Sequence, residues 1–214
     1  MSREIDHKDT SRKDAYEKWM NAKNPMVTFF KILDVTNLVK ISKNRNLKFN
    51  MLLDYCIGKA AKGIKEFYIL PVGEKLIEYD TIAINCIVKN KNGGVSSCDI
   101  LYTDDIEGFN EEYLKYTSEV NKTAVDRYLS ADSMVIGTSA VVNTVIDGAV
   151  GVYSGVFNNP FIIWGKYSKK LFRYYLSISF QFHHTQMDGA HAGRFLANLQ
   201  KEINSLQTAS FNYE

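Results

Sequence analysis

The segment His183-His184-Thr185-Gln186-Met187-Asp188-Gly189 holds two of the four histidines, a carboxylate and a glycine within seven residues. A neutral imidazole is a general base near neutral pH, able to take a proton from a hydroxyl. Upstream the side chains alternate. Positions 172, 174, 176, 178, 180 and 182 are Phe, Tyr, Leu, Ile, Phe and Phe, while 173, 175, 177, 179 and 181 are Arg, Tyr, Ser, Ser and Gln. Successive side chains of a strand point to opposite faces, so a strand over 171–184 places His184 at the end of the apolar face and His183 on the polar one. A low-dielectric setting there favours uncharged imidazole. Gly189 is expected to supply a backbone geometry that a Cβ would resist. A buried histidine alone is more often a structural hydrogen-bonder. The compact motif at a strand-to-helix junction points instead to catalysis.

The positioning elements follow from periodicity and turn chemistry. A first helix is expected from Thr10 or Ser11 through Tyr16, Trp19 and Met20, ended by Asn24-Pro25. A strand over 26–33 and a short helix from Asp34 toward Lys43 come next. Leu52, Cys56, Ala60, Ile64 and Phe67 share one face of a helix over 47–67. Short strands are read over 68–71, 75–79, 81–88 and 95–102, then a helix over 105–129. Strands over 134–144 and 161–167 lead to a turn at Ser168-Lys169-Lys170, the long strand and a final amphipathic helix over 189–206. No internal repeat or linker stands out, so one α+β domain over 1–214 is expected.

Composition excludes several classes. Hydrophobic residues are 45% and charged residues 23%, the profile of a soluble globular chain. A net charge of +2 with dispersed Lys and Arg argues against nucleic-acid binding. Lys40, Lys43, Arg45 and Lys48 form a mildly basic stretch that reads as a solvated loop or a phosphate contact. Cys56, Cys86 and Cys98 are odd in number and lack C-x-x-C spacing, so neither a disulfide framework nor a metal site is expected. No apolar run is long enough for a membrane span, and a cytoplasmic location is the expectation.

At the histidine motif the chain resembles the chloramphenicol acetyltransferase family, whose signature His-His-x-x-x-Asp-Gly matches residues 183–189. Ile178 to Phe182 before the motif and His191-Ala192-Gly193-Arg194-Phe195 after it are in family-like register. Lys75 to Asp80, Tyr102 to Phe109, Pro160 and Lys166-Tyr167 extend the likeness over nearly the whole chain. The resemblance implies a two-layer α/β sandwich with a large mixed sheet, assembled as a homotrimer with each active site between subunits. It implies acetyl transfer from acetyl-coenzyme A, a co-substrate and not a permanently bound cofactor, to a hydroxyl of a small molecule. Chloramphenicol is the default acceptor and antibiotic resistance the corresponding role. His184 would be the base, with Asp188 paired to Arg12 to hold the motif. Lys48, Lys166 and Tyr167 match positions near coenzyme A.

The likeness breaks at finer positions. Gly137 stands where the family has an oxyanion-stabilising serine, and Ile163 where it has a threonine. Among acceptor-pocket positions, Val135 replaces an asparagine, Val95 a phenylalanine and Trp19 a tyrosine. Ser139, on the same strand face as Gly137, or a water beside Gly137, would replace the lost donor, with Thr138 on the opposite face. The alternatives to acetyl transfer are a catalytically weak or inactive paralogue that binds a small molecule or coenzyme A, and a transferase using a carrier-bound acyl group.

Overall fold

The computed structural model describes residues 1–153 and 155–207. In chain order the elements are strand β1 (Ser2–Ile5), helix α1 (Lys13–Trp19), strand β2 (Met26–Asp34), helices α2 (Thr36–Arg45) and α3 (Phe49–Lys62), strands β3 (Ile69–Val72), β4 (Lys75–Tyr79), β5 (Ile82–Lys89) and β6 (Val95–Leu101), helix α4 (Ile106–Thr123), strands β7 (Met134–Ala140), β8 (Phe161–Trp164), β9 (Ser168–Lys170) and β10 (Arg173–His183), and helix α5 (Gly189–Ser205). The main sheet runs β2-β10-β8-β7-β5-β6, with β9 paired to β10, and a small sheet runs β1-β4-β3. The β5–β7 and β7–β8 pairs are parallel and the others antiparallel.

Strand alternation gives the main sheet two unlike faces. Ile84, Ile136, Ile162, Ile178, Phe180 and Phe182 point to one side and are buried. There α3 and α5 cover them, Phe67 and Phe195 packing on Phe180 with ring centroids 6.1 and 4.7 Å away. Full burial of each such side chain stabilises by roughly 1.5–3 kcal/mol. α3 approaches closely at Gly58, where a Cβ would lie 2.2 Å from the Tyr102 ring. The opposite face carries Asn85, Gly137, Phe161, Gln181 and Thr28 in one register row. That is the polar face on which the site is built.

Several expected boundaries shift for identifiable reasons. The first helix begins at Lys13, after Arg12 as its N-cap, with Thr10 Oγ accepting from the Arg12 N–H instead of capping the helix directly. Helix α3 stops at Lys62, and Ile64 and Phe67 are buried from the turn and short 3-10 segment that follow. Helix α4 ends at Ala124 with φ +59° because residues beyond it dock along β6, Arg127 N–H donating to the Ser97 carbonyl. Strand β7 ends at Ala140 and β8 at Trp164, both earlier than expected. Residues 168–170 are a strand, not a turn, and the reversal falls at Leu171-Phe172, with Leu171 at φ +53°. Phe172 is therefore 90% exposed instead of opening the apolar face. Strand β1, pairing antiparallel with β4, was not expected at all.

Asp54 on α3 is the exception in the apolar layer. It is fully buried, accepts from Cys86 Sγ at 3.2 Å, and leaves Oδ1 without a partner among the described residues. Burial pushes its pKa up to about 7, against smaller opposing contributions from Cys86 and Thr138. The folded chain thus holds a proton that the unfolded chain releases near pH 4. Stability falls as pH rises from about 4 to 7, and the whole cost is present above 7. Asp54→Asn is expected to be more stable than wild type by a few kcal/mol at pH 8, at roughly 1.4 kcal/mol per pKa unit, with the gain shrinking toward pH 4.5. Urea unfolding at the two pH values checks this, and an equal difference at both would count against a protonated Asp54.

Candidate active site

Strand β10 ends at His183, and His184 opens the turn that leads into α5. The ring of His184 stacks on Trp19 at the end of α1, with centroids 4.5 Å apart and planes 5° from parallel. The backbone N–H of His184 donates to the Pro25 carbonyl at 2.8 Å. Nδ1 is enclosed and has no hydrogen-bond partner among the described residues, which leaves Nε2 as the ring nitrogen open to a ligand. The expectation that His184 finishes the buried apolar face is therefore corrected, because the strand stops one residue earlier and turns the ring toward α1. His183 is the enclosed one, 1% exposed on the polar face. Burial and the neighbouring His184 pull its pKa down to about 4.

Arg12 clamps the turn. Its side chain donates to the His184 carbonyl at 2.9 Å, to the Thr185 carbonyl at 3.0 Å and to Asp188 Oδ2 at 3.0 Å. A planar guanidinium suits this task because its donors are fixed in a fork. Asp188 also caps α5, accepting from the Ala190 and His191 N–H groups. Burial would raise its pKa, but Arg12 and the helix N-terminal N–H groups outweigh that and hold it below the usual value. His191 extends the network, with Nδ1 2.9 Å from Asp188 and Nε2 3.2 Å from Glu66. Sequence reasoning missed this bridge, although the Asp188-x-x-His191 spacing of a capping box was readable. Gly189 has no positive φ, and a Cβ there would meet Phe29 at 3.4 Å, an ordinary contact. The expectation of a glycine-only geometry at that position is withdrawn.

On the polar face of the sheet lies a cavity of about 830 Å³. His183, Gln181, Gly137, Val135, Asn85 and Asp99 contribute to its walls, together with Tyr153, Asn158 and Asn159. Phe161 lies directly against Gly137, where a Cβ would come within 2.3 Å of the Phe161 ring. The cavity can enclose a drug-sized molecule, the kind of concave site that binds small ligands.

Residues 2–200 match the chloramphenicol acetyltransferase family. The chain belongs to that family. It is an acyltransferase, of a family that takes its acetyl group from acetyl-coenzyme A. A chloramphenicol acetyltransferase of Clostridium butyricum is 25% identical over 217 residues, covering 98% of this chain and 95% of its own. A solved chloramphenicol acetyltransferase superposes with a TM-score of 0.83 at 20% identity, over 95% of this chain and 100% of its own. A dihydrolipoamide acetyltransferase of Azotobacter vinelandii shares the fold at a TM-score of 0.64 and 17% identity, over 91% and 85% of the two chains. The fold is the two-layer α/β sandwich of the chloramphenicol acetyltransferase type.

Within one copy of this acetyltransferase the residues picked from the sequence are strung along the sheet. Val135 and Gly137 line the cavity beside His183, whereas Trp19 lies on His184 and Val95 is 68% exposed at the start of β6. Ile163 and Ser139 are outside the cavity wall. They share a register row with Ser179, four residues before His183 and about 13 Å along the strand. Lys48, Lys166 and Tyr167 gather at the far end. Tyr167 packs against Phe49 and Tyr174, Lys43 lies over Tyr174, and Lys48, next to Phe49 in the chain, places Nζ 5.7 Å from the Tyr113 ring centroid. That end is about 26 Å from His183 along β10. The structure thus does not bring Ser139 or the lysines to His184 of the same copy.

The space that a Cβ at 137 would need is filled by the Phe161 ring. Gly137→Ser is expected to destabilise the chain by about 1–3 kcal/mol through overpacking and to bring no gain in transfer. Adding Phe161→Ala should recover the stability lost to the clash. Thermal melts of the single and double variants decide this, and a fully stable single variant would show that Phe161 moves freely.

Proposed function

We propose that the chain transfers an acetyl group from acetyl-coenzyme A to a hydroxyl of a small molecule, with His184 as general base. The observation that supports this most strongly is the clamped turn, which fixes an imidazole with Nδ1 enclosed and Nε2 open. Nε2 takes the acceptor's hydroxyl proton as the oxygen attacks the thioester carbonyl. The tetrahedral oxyanion collapses, the carbon–sulfur bond breaks, and the departing thiolate recovers the proton from His184. Asp188, Arg12 and Gly189 belong to the turn's support and take no part in bond making.

The distances along one sheet favour a site shared between copies, with His184 of one facing Gly137, Ser139 and the lysine cluster of another. A homotrimer, as the family resemblance implies, provides this. Exposed apolar side chains such as Phe30 and Ile32 on β2, and Phe157 in the loop, offer contact surface. Lys48, Lys166 and Tyr167 would hold coenzyme A, the lysines acting as point charges on its phosphates. In this reading residues 1–214 act as one domain in the cytoplasm, and chloramphenicol or another small alcohol is the acceptor. Acceptor-dependent release of free thiol from acetyl-coenzyme A tests it. Absence of release with every acceptor tried, from a folded protein that binds coenzyme A, would favour the second reading of a binding paralogue. Gly137 under Phe161, in place of a hydroxyl donor, is the observation on that side.

A further inference from the structure

We infer that the acceptor selected by this cavity is an alcohol that also carries a protonated amine, recognised by Asp99. The inference rests on the acyl-transfer reading for its reaction and on the hydrogen-bond polarity of the cavity for its ligand. Each amide group of the wall commits at least one N–H to a protein acceptor, and Gln181 commits both. Asn85 Nδ2 donates to Asp99 at 2.6 Å, Asn159 Nδ2 to the Val135 carbonyl at 2.8 Å, and Asn158 Nδ2 to the Pro71 carbonyl at 2.9 Å. Gln181 Nε2 donates to the Gly151 carbonyl and to Thr28 Oγ, both at 3.1 Å. Each amide is thereby oriented with its oxygen away from those partners. The Asn158 oxygen is taken by Tyr153, which leaves those of Asn85, Gln181 and Asn159 as acceptors.

Asp99 gives this wall its charge. It is 1% exposed, and its two oxygens accept from Asn85 Nδ2 and from the Leu129 N–H at 2.7 Å. A carboxylate has about four acceptor positions, so lone pairs remain. Among the described residues, no Lys or Arg lines the cavity. Arg127, bonded to Asp99 only through the backbone, places its guanidinium 3.7 Å from the Tyr116 ring centroid and lines a different cleft. Burial raises the Asp99 pKa, opposed by the bonds from Leu129 and Asn85 and by the charge of Arg127. A poorly hydrated carboxylate, with no Lys or Arg among the described residues of the wall, is complementary to a ligand that brings donors and positive charge. An ammonium group meets both needs, while the Phe161 ring and the Val135 side chain accommodate the ligand's apolar part.

Chloramphenicol and its N-deacylated amino-diol form a matched pair, with the same hydroxyls but an amide in one and an ammonium in the other. Calorimetric titration at pH 6.5 should show the wild-type protein binding the amino-diol at least 10-fold more tightly. Asp99→Asn should weaken amino-diol binding 10-fold or more and leave chloramphenicol within about threefold. The swap Asn85→Asp with Asp99→Asn keeps a carboxylate–amide pair on the same wall and should restore the preference, which a folding defect would not. Equal affinity in wild type, no binding of either ligand, or equal losses for both in Asp99→Asn overturns the inference. Preferential amino-diol binding without thiol release would sink the transfer reading and leave the cavity's preference standing.

Discussion

His184→Ala is expected to lower acceptor-dependent thiol release from acetyl-coenzyme A by about 100- to 10,000-fold, the range of a positioned general base. The fold should survive the change. Arg12 grips the backbone carbonyl of residue 184, and the 184 N–H bonds to Pro25, so neither contact needs the ring. The control is His183→Ala. Its imidazole lines the cavity and has a pKa of about 4, too weak a base to match the ideal near the working pH. Its loss should raise KM for the acceptor and leave kcat within about tenfold. Steady-state kinetics on both variants settles the assignment, and full activity in His184→Ala with none in His183→Ala would transfer the role to the neighbour.

The second large effect is on stability. Arg12→Leu removes three bonds at once from a side chain only 5% exposed, and strands two carbonyls and a carboxylate. Breaking a buried pair costs about 3–5 kcal/mol, and the part-exposed Asp188 puts this one near 3. For a chain of this size that corresponds to a melting temperature lower by roughly 6–12 °C. Arg12→Lys should recover little, because a single ammonium cannot reach three acceptors in a plane. A melt unchanged within about 2 °C would mean that the turn is held by α5 alone.

What the sequence made legible was what local pattern encodes. Alternation along 174–182 placed the apolar and polar faces of β10 correctly, and the His183–Gly189 motif and Arg12 led to the clamped turn. The hairpin at Leu171 was not legible because neither Leu nor Phe carries turn chemistry, so the lysines before it looked like the loop. Strand β1 was missed because Ser2–Ile5 gains its conformation only from pairing with β4. The cavity's character was hidden for a related reason. That Phe161 covers Gly137, or that Asn85 donates to Asp99, depends on which strands become neighbours, and residues 85, 99, 137 and 161 come from four different strands. Ser139 was placed on the right face, but sheet register rather than alternation decides how far it lies from the histidines.

Strand β10, which leads directly into His184, sits between β2 and β8, yet it is the last strand of the main sheet to leave the ribosome. Until residues 173–183 emerge, β2 has no partner in that sheet and β8 shows an open edge next to it. Nascent chains in that state present two hydrogen-bonding edges and the uncovered Phe29 and Ile162, features that invite association with other strands. Chains cut between residues 165 and 172 should therefore be aggregation-prone, and the clamp between Arg12 and the turn can close only once residue 188 has followed β10 out.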